Sequence, residues 1–213
     1  AFSLVITTND SLVGVRDPQG FRPLCLGKTA NGYVLSSESC AFDAIKAEFI
    51  RHIDPGEMVI IDDSGVRSTM YAEPEKIDKK LCVFEYIYFA RGDSHIDGQS
   101  VYQSRLNMGR ELYKETKYDA DIVMSIPDSG TTAALGYARA SGIPFAEGLV
   151  KNRYSGRTFI KPNQEERELA VRMKLNALPH VVSGKRIVLI DDSIVRGTTS
   201  GIIVKMLKEA GAK

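Results

Sequence analysis

One segment constrains the fold of this chain more than any other, because a strand, two adjacent carboxylates, a hydroxyl-rich turn and a helix follow one another directly. The β-branched apolar run Ile187–Ile190 predicts a buried strand. Asp191 and Asp192 end it, and the helix that opens near Ser200 has apolar residues at helical spacing: Ile203, Met206, Leu207 and Ala210. An open α/β sheet binds ligands beyond the carboxyl ends of its strands. The segment therefore predicts an α/β fold with a binding site at 191–200.

The residues of this turn indicate what the ligand carries. A helix N-terminus offers N–H groups and a positive dipole end to a phosphate, and Thr198, Thr199 and Ser200 add hydroxyl donors. The two carboxylates would repel the same phosphate, so they suit sugar hydroxyls or a hydrated Mg²⁺ ion. A phosphorylated sugar satisfies both requirements. The structural alternative, a strand end with an aspartate helix cap, needs one acid and not two.

Length, charge and cysteine count exclude several classes of protein. With 213 residues the chain holds one large domain or two small ones. A net charge of +1 gives no electrostatic footprint for nucleic acid or a membrane surface, and no apolar run is long enough to span a bilayer. The three cysteines have no C-x-x-C spacing, which argues against a disulfide framework or a self-contained zinc site. We expect a protein of the reducing cytoplasm, without nucleic-acid or membrane partners.

A second strand–turn–helix unit precedes the first. The strand is predicted at Asp121–Ile126 and the helix at Ala133–Ala140, with a glycine as its stop. Between them, Ser129, Gly130 and two threonines would let an anion approach the backbone, although an ordinary capped turn fits this segment alone equally well. A third strand is predicted near Ile143.

A basic segment, Lys151–Lys161, has little apolar periodicity. It holds four cations, Gly156 and the aromatic residues Tyr154 and Phe159. A solvated charge run is the usual explanation of such a segment, but two aromatic side chains have no use in one. We expect a loop that is poorly ordered without ligand and closes over an anionic ligand.

The rest of the chain carries structural signals without evident chemistry, and residues 1–72 are predicted to be β-rich. The predicted elements are hairpins at 2–16 and 58–71, a strand at 33–37, a helix at 38–50, a charged linker at 73–80, a strand at 82–89 and a helix at 102–114.

The string Asp191–Ser200 resembles the 5-phosphoribosyl-1-pyrophosphate (PRPP) signature of type I phosphoribosyltransferases, and its full form looks like that of the amidophosphoribosyltransferase family. Other segments resemble the same family: 14–24, 37–39, 54–57, 84–91, 151–160 and 172–176. The resemblance implies a mixed α/β and α+β chain with two incomplete domains. Residues 1–75 would be the end of an N-terminal-nucleophile glutaminase domain. Residues 76–213 would be the first part of a phosphoribosyltransferase domain, a doubly wound parallel sheet.

The resemblance also implies an activity and its partners. Members of the family transfer ammonia from glutamine to PRPP, which gives 5-phosphoribosylamine, pyrophosphate and glutamate in the first committed step of de novo purine biosynthesis. Their glutaminase nucleophile is the mature N-terminal cysteine, whereas position 1 here is Ala1. We therefore expect this chain by itself to be inactive on glutamine. Feedback inhibition by purine nucleotides and a homo-oligomeric state are further expectations.

By the same resemblance, residues are assigned to three roles. The catalytic residues are Asp191, Asp192, Lys151 and Arg157. The residues that bind PRPP are Ser193, Val195, Arg196, Gly197, Thr198, Thr199, Ser200, Lys151, Arg153 and Tyr154. The expected cofactor is Mg²⁺, and its assigned ligands are Ser129, Asp191 and Asp192.

Cys82 matches a position that ligates a [4Fe–4S] cluster in some members of the family. A cluster needs about four thiolates, more than the three cysteines present. A buried strand cysteine is therefore the preferred interpretation, and the alternative is a [4Fe–4S] cluster in the full-length protein with Cys82 as one ligand.

Two other functional classes stay open at this point. A non-enzymatic PRPP-binding regulator with this fold would need a basic, helical DNA-reading module, which neither the net charge nor residues 1–72 indicate. Another glutamine-dependent transferase or hydrolase could share the β-rich half, but the Asp-Asp-Ser string argues against it.

Overall fold

The computed structural model of the protein describes residues 1–152, 154, 169, 171–195 and 197–213. Its contacts divide the chain into two compact units, Ala1–Ser104 and Arg105–Lys213. Residues 78–82 belong to the first unit, because Asp78 N donates to Pro18 O at 3.2 Å and Lys80 N to Gln19 O at 2.7 Å. The domain boundary predicted from the sequence, at 75/76, does not coincide with this division. The assignment of the two parts to a glutaminase-like and a phosphoribosyltransferase domain stays a prediction.

Two antiparallel sheets build the first unit. Strands β1 (Ser3–Thr7), β2 (Leu12–Arg16), β6 (Glu57–Asp62) and β7 (Gly65–Met70) form one sheet in that order. Strands β4 (Gly32–Ser36), β3 (Cys25–Thr29) and β5 (Glu48–His52) form the other. Residues from both sheets share one buried core, which includes Leu24, Ile53 and Val59 with Leu35 packed against them. The two predicted hairpins and the strand at 33–37 are confirmed.

The helix predicted at 38–50 is wrong over most of its length. Helix α1 covers only Cys40–Ala44, and Lys46 then takes a left-handed φ of 55° that ends it. Residues 48–52 form β5 instead, with Phe49 opposite Gly27 of β3. Aromatic and β-branched side chains favour a strand when a neighbouring strand is available, and the neighbour here, β3, was not among the predicted elements.

The strand predicted at 82–89 is also wrong. Glu85–Phe89 forms one turn of π-helix, in which Ala90 N donates to Glu85 O at 3.1 Å. Cys82 lies half-buried before this turn rather than in a buried strand. The buried Glu85 accepts a hydrogen bond from Arg22 at 2.6 Å, a contact between distant residues that the local strand preference of the aromatic run does not contain. The remaining short elements of the unit are a 3₁₀ turn at Pro74–Lys76 and the strands β8 (His95–Ile96) and β9 (Gln99–Ser100).

The second unit contains a parallel strand pair. Strand β10 (Ile122–Ser125) pairs in parallel with β13 (Ile187–Ile190), and Val123 forms a parallel bridge to Phe145. All three predicted strand positions are thereby confirmed. Strands β11 (Leu149–Lys151) and β12 (Leu175–Ala177) form a separate antiparallel ribbon. The helices whose two ends lie among the described residues are α2 (Val101–Glu115), which begins in the first unit, α3 (Thr131–Ser141), a short helix at Pro179–Val182 and the last helix, Thr198–Glu209.

Helices cover both faces of the parallel strands. Alternate residues of a strand point to opposite faces. Ile122 and Met124 accordingly pack in one buried cluster with Ile203 of the last helix, whereas Val123 packs in another with Tyr137 of α3. This arrangement confirms the doubly wound α/β class for the second unit.

A backbone contact between two helices fixes α3. A Cβ atom at Gly136 of α3 would lie 2.1 Å from the carbonyl oxygen of Leu106 in α2, and one at Gly109 would lie 1.8 Å from that of Ala133. The helices can approach this closely only because both positions are glycine. Among the described residues, no helix is long and apolar enough to cross a membrane.

Candidate functional site

Two turns meet at the carboxyl edge of the parallel strands. The β10 turn (126–130) leads into α3, and the β13 turn (191–197) leads into the last helix. Ile126 N donates to Ile190 O at 2.9 Å, so the turns begin side by side. A Cβ atom at Gly130 would lie 2.7 Å from the carbonyl oxygen of Ile190 and 3.1 Å from Asp191 Cα. Glycine at this position therefore allows the two turns to touch.

The acidic pair, Asp191 and Asp192, begins the β13 turn. Asp192 N donates to Asp191 Oδ1 at 2.9 Å, and Ser193 Oγ donates to Asp192 Oδ1 at 2.6 Å. Burial raises the pKa of the half-buried Asp191 carboxyl, and repulsion from Asp192 acts in the same direction, while the backbone N–H of Asp192 opposes both. The ion pairs found among the described residues include neither carboxylate. The pair thus concentrates negative charge that a cation or hydroxyl donors would stabilise.

The start of the last helix lies at the other end of the β13 turn. Gly197 takes a left-handed φ of 71° and its carbonyl accepts Gly201 N at 2.9 Å, but no side chain caps the helix. Thr198 and Ser200 are half-buried and Thr199 is exposed. The helix start therefore retains the N–H groups and hydroxyls that can receive a phosphate.

Apolar side chains project from the middle of the same turn. Ile194 is 72% exposed and Val195 is 84% exposed. Both residues are therefore largely open to solvent at the middle of the turn. Arg196, assigned to PRPP binding from the sequence, lies outside the described residues.

The β10 turn supplies hydroxyls and one exposed acid. Ser125 Oγ and Thr131 Oγ1 share a hydrogen bond of 3.1 Å, and Ser129 is half-buried. The Pro127–Asp128 peptide bond is cis. The Asp128 carboxylate accepts a hydrogen bond from Lys151 Nζ. In the described part of the chain, no group of three or more His, Cys, Asp or Glu side chains could hold a metal ion by itself.

The β11–β12 ribbon carries the start of the basic segment. Lys151 pairs with Leu175 across the ribbon, and Asn152 N donates to Lys174 O at 2.8 Å. Tyr154 is 99% exposed, and its N–H bonds to Asn152 Oδ1 at 3.0 Å. Arg153, Arg157 and the other residues of 155–168 lie outside the described residues. The prediction that this loop is poorly ordered without ligand and closes over an anion therefore also falls outside the described part of the chain.

Comparison with known proteins decides the family. An amidophosphoribosyltransferase of Archaeoglobus fulgidus is 53% identical over 213 residues, which are all of this chain and 46% of that protein. The chain belongs to the amidophosphoribosyltransferase family. An amidophosphoribosyltransferase of Synechocystis sp. is 55% identical over 215 residues and is covered to 43% of its length. No family model matches the chain.

A solved structure agrees with this membership. The glutamine PRPP amidotransferase from Bacillus subtilis, complexed with ADP and GMP, is 51% identical with a TM-score of 0.91. The match covers 99% of this chain and 46% of that one. The chain thus spans about half the length of the amidophosphoribosyltransferases that it matches.

At this candidate site, the sequence assigned residues of the β13 turn, but it assigned neither Asp128 nor the contact that Gly130 makes between the turns. The assigned residues Asp191, Asp192 and Ser193 lie in the β13 turn, and the assigned hydroxyls at 198–200 lie in the first turn of the helix that follows it. Asp128 was not assigned, because its contact with Lys151 joins residues 23 positions apart. The role of Gly130 in the contact between the turns was missed as well, although a glycine after Ser129 was a usable signal.

The three cysteines do not form a cluster site in the described residues. Cys25 and Cys40 are buried and Cys82 is half-buried, all as free thiols. Cys25 Sγ lies 3.2 Å from His52 Nδ1, and burial raises the pKa of its thiol to about 12. The thiol of Cys25 is therefore a structural hydrogen-bonding group rather than a nucleophile.

Proposed function

We propose that the protein containing this segment transfers glutamine-derived ammonia to C1 of PRPP, giving 5-phosphoribosylamine, pyrophosphate and glutamate in purine biosynthesis. The observation that carries this proposal is the contact between the two turns: an acidic pair, an uncapped helix start and a serine–glycine turn meet at one sheet edge. A sugar that carries both a phosphate and a diphosphate would use all three features. A simple phosphate ester would use only the helix start.

Each part of the substrate has a proposed place. The acidic pair would hold the ribose hydroxyls and stabilise the positive charge that develops on the sugar ring as pyrophosphate leaves. Val195, Gly197 and the hydroxyls of Thr198, Thr199 and Ser200 would anchor the 5′-phosphate, together with Ser193 and Arg196. The β10 turn would face the pyrophosphate. Lys151, Arg153, Tyr154 and Arg157 would bind it from the other side and exclude water from the reacting carbon.

A magnesium ion fits this proposal. Mg²⁺ typically binds one or two carboxylates and completes its shell with water and substrate phosphates. Asp191 and Asp192 are two carboxylates without an ion pair among the described residues, and Ser129 is a third proposed ligand. When bound, the ion would neutralise charge on the pyrophosphate group.

The proposed partners follow from the activity and from the family. They are PRPP, glutamine or ammonia, and a second copy of the protein in a homo-oligomer. Purine nucleotides are proposed as feedback inhibitors because the similar Bacillus subtilis structure is complexed with ADP and GMP. The reducing cytoplasm is the proposed compartment, since thiols such as Cys25 stay reduced there.

The test uses the full-length protein and measures PRPP-dependent release of pyrophosphate, with ammonia as the donor. In Asp191→Asn we expect kcat/KM for PRPP to fall by about one to two orders of magnitude, because losing a charge-assisted contact costs about 1.5–3 kcal/mol. Asp119→Asn is the matched control, since Asp119 pairs with Arg186 at the opposite end of the strands. Wild-type kinetics in Asp191→Asn would refute the sugar-binding role. Binding of PRPP without any turnover in the wild type would instead favour a PRPP-binding regulator.

A further inference from the structure

One ion pair links the β10 turn to the basic segment. The Asp128 carboxylate accepts a hydrogen bond from the ammonium group of Lys151. The side chain of Asp128 is 76% exposed and that of Lys151 is 37% exposed. Neither residue contributes to a hydrophobic core, so packing does not require this contact.

The backbone of Lys151 is fixed, although its side chain is not enclosed. Lys151 pairs with Leu175 in the β11–β12 ribbon, and the next residue, Asn152, donates to Lys174 O at 2.8 Å and to Met173 O at 3.2 Å. A lysine side chain has four rotatable carbons and can change partner without moving its Cα. The ammonium group can therefore exchange Asp128 for another anion nearby.

Asp128 has an unfavourable position for an acid. It stands beside Ser129 and Gly130 in the turn that would face the pyrophosphate group, where a bare carboxylate would repel the ligand. The ion pair with Lys151 compensates this charge in the ligand-free protein. Exposed ion pairs of this kind are weak, so a ligand with several negative charges can compete for the lysine.

We propose that Asp128 is a positioning residue, which holds the Lys151 ammonium beside the β10 turn and yields it to the incoming pyrophosphate group. When pyrophosphate departs as product, Asp128 recovers the lysine. The inference rests on the proposed function, since it assigns a ligand-free partner to a lysine that would bind the leaving group. Asp128 would thus act on the lysine and would not itself touch the reacting atoms.

Titration of the full-length protein with inorganic pyrophosphate and Mg²⁺ tests the exchange in four forms: wild type, Asp128→Asn, Lys151→Met and the double variant. Asp128→Asn removes the competitor, so we expect its Kd for pyrophosphate to fall about two- to fivefold, which is about 0.4–1 kcal/mol. Lys151→Met should weaken binding. In the Lys151→Met background only direct repulsion by Asp128 remains, so Asp128→Asn should tighten binding by a clearly smaller factor than it does when the lysine is present.

A merely structural role for Asp128 predicts the opposite sign, with weaker binding in Asp128→Asn. That result would overturn the inference, and so would equal tightening with and without Lys151, which indicates direct repulsion of the ligand. Asp119→Asn, which removes another exposed paired carboxylate, should leave Kd unchanged. If the wild type neither binds pyrophosphate nor uses PRPP, the proposed function fails together with this inference. If the wild type does both and Asp128→Asn binds as the wild type does, only the inference fails.

Discussion

At the scale of single residues, the environment of Asp191 sets its effect on the stability of the fold. Its carboxyl is half-buried beside Asp192, and burial raises its pKa above the ordinary value of an aspartate. A carboxyl with a raised pKa is charged less readily in the folded protein than in the unfolded chain, so its ionised form destabilises the fold. In the proposed function, a cation or the hydroxyls of a sugar would stabilise the same charge when bound.

Asp191→Asn should therefore stabilise the ligand-free protein at neutral pH while it impairs the reaction. The sign follows from linkage: the destabilisation by Asp191 is present above its raised pKa and disappears below about pH 3.9, where both states are protonated. Melting temperatures of wild type and Asp191→Asn, measured from pH 7 down to pH 3.5, should converge as the pH falls. A variant that melts below the wild type at pH 7 would show that the carboxylate is compensated in the free protein.

The sequence allowed candidate site residues to be predicted where they belong to one consecutive motif. It did not reveal residues whose importance depends on contacts with distant parts of the chain. Asp191, Asp192 and Ser193 were recognisable because a strand, two acids and a helix start are consecutive. Asp128 could be considered for a role only once the structure showed its contact with Lys151. No local pattern contains that information.

At the scale of elements, the contact of α2 with α3 positions the β10 turn. Helix α3 begins at the end of that turn, and its depth against α2 is set by Gly136, whose Cβ position is occupied by the Leu106 carbonyl group. A backbone atom cannot swing aside as a side chain can, so the helix itself would have to move. Movement of α3 would shift Gly130 and separate the two turns of the site.

Gly136→Ala should lower the free energy of unfolding by about 1–3 kcal/mol through this overlap. Gly201→Ala is the matched control in the last helix, where an added Cβ meets nothing within 4 Å. It should stabilise the protein by about 0.5–1 kcal/mol, because alanine is a better helix former than glycine. Urea unfolding of both variants measures the two signs. Equal effects of the two substitutions would contradict the close contact of the helices.

The length and residue pattern of the elements explain which of them were predicted correctly. Helices α2 and α3 and strands β10 and β13 have long or strongly patterned sequences, and their periodicity decided them. Phe49 and Glu85 lie in segments that have partners far along the chain, Gly27 of β3 and Arg22. Local preference predicted a helix at the first and a strand at the second, and long-range pairing produced the reverse.

At the scale of the whole molecule, the segment holds two units with different roles in the proposal. The residues assigned to PRPP all lie in the second unit, Arg105–Lys213. The first unit, Ala1–Ser104, consists of two antiparallel sheets around a shared core, and no glutaminase residue is assigned to it. Family membership rests on identity along the entire chain, whereas the proposed PRPP site rests on the two turns of the second unit.

The most direct test of the PRPP site is a crystal structure of the full-length protein with Mg²⁺ and an unreactive PRPP analogue. We predict the ribose hydroxyls within hydrogen-bonding distance of Asp191 and Asp192, the 5′-phosphate on the N–H groups and hydroxyls at 197–200, and the pyrophosphate at the β10 turn with Lys151 released from Asp128. An analogue bound with its pyrophosphate at the start of the last helix, or with its ribose away from the acidic pair, would contradict the account.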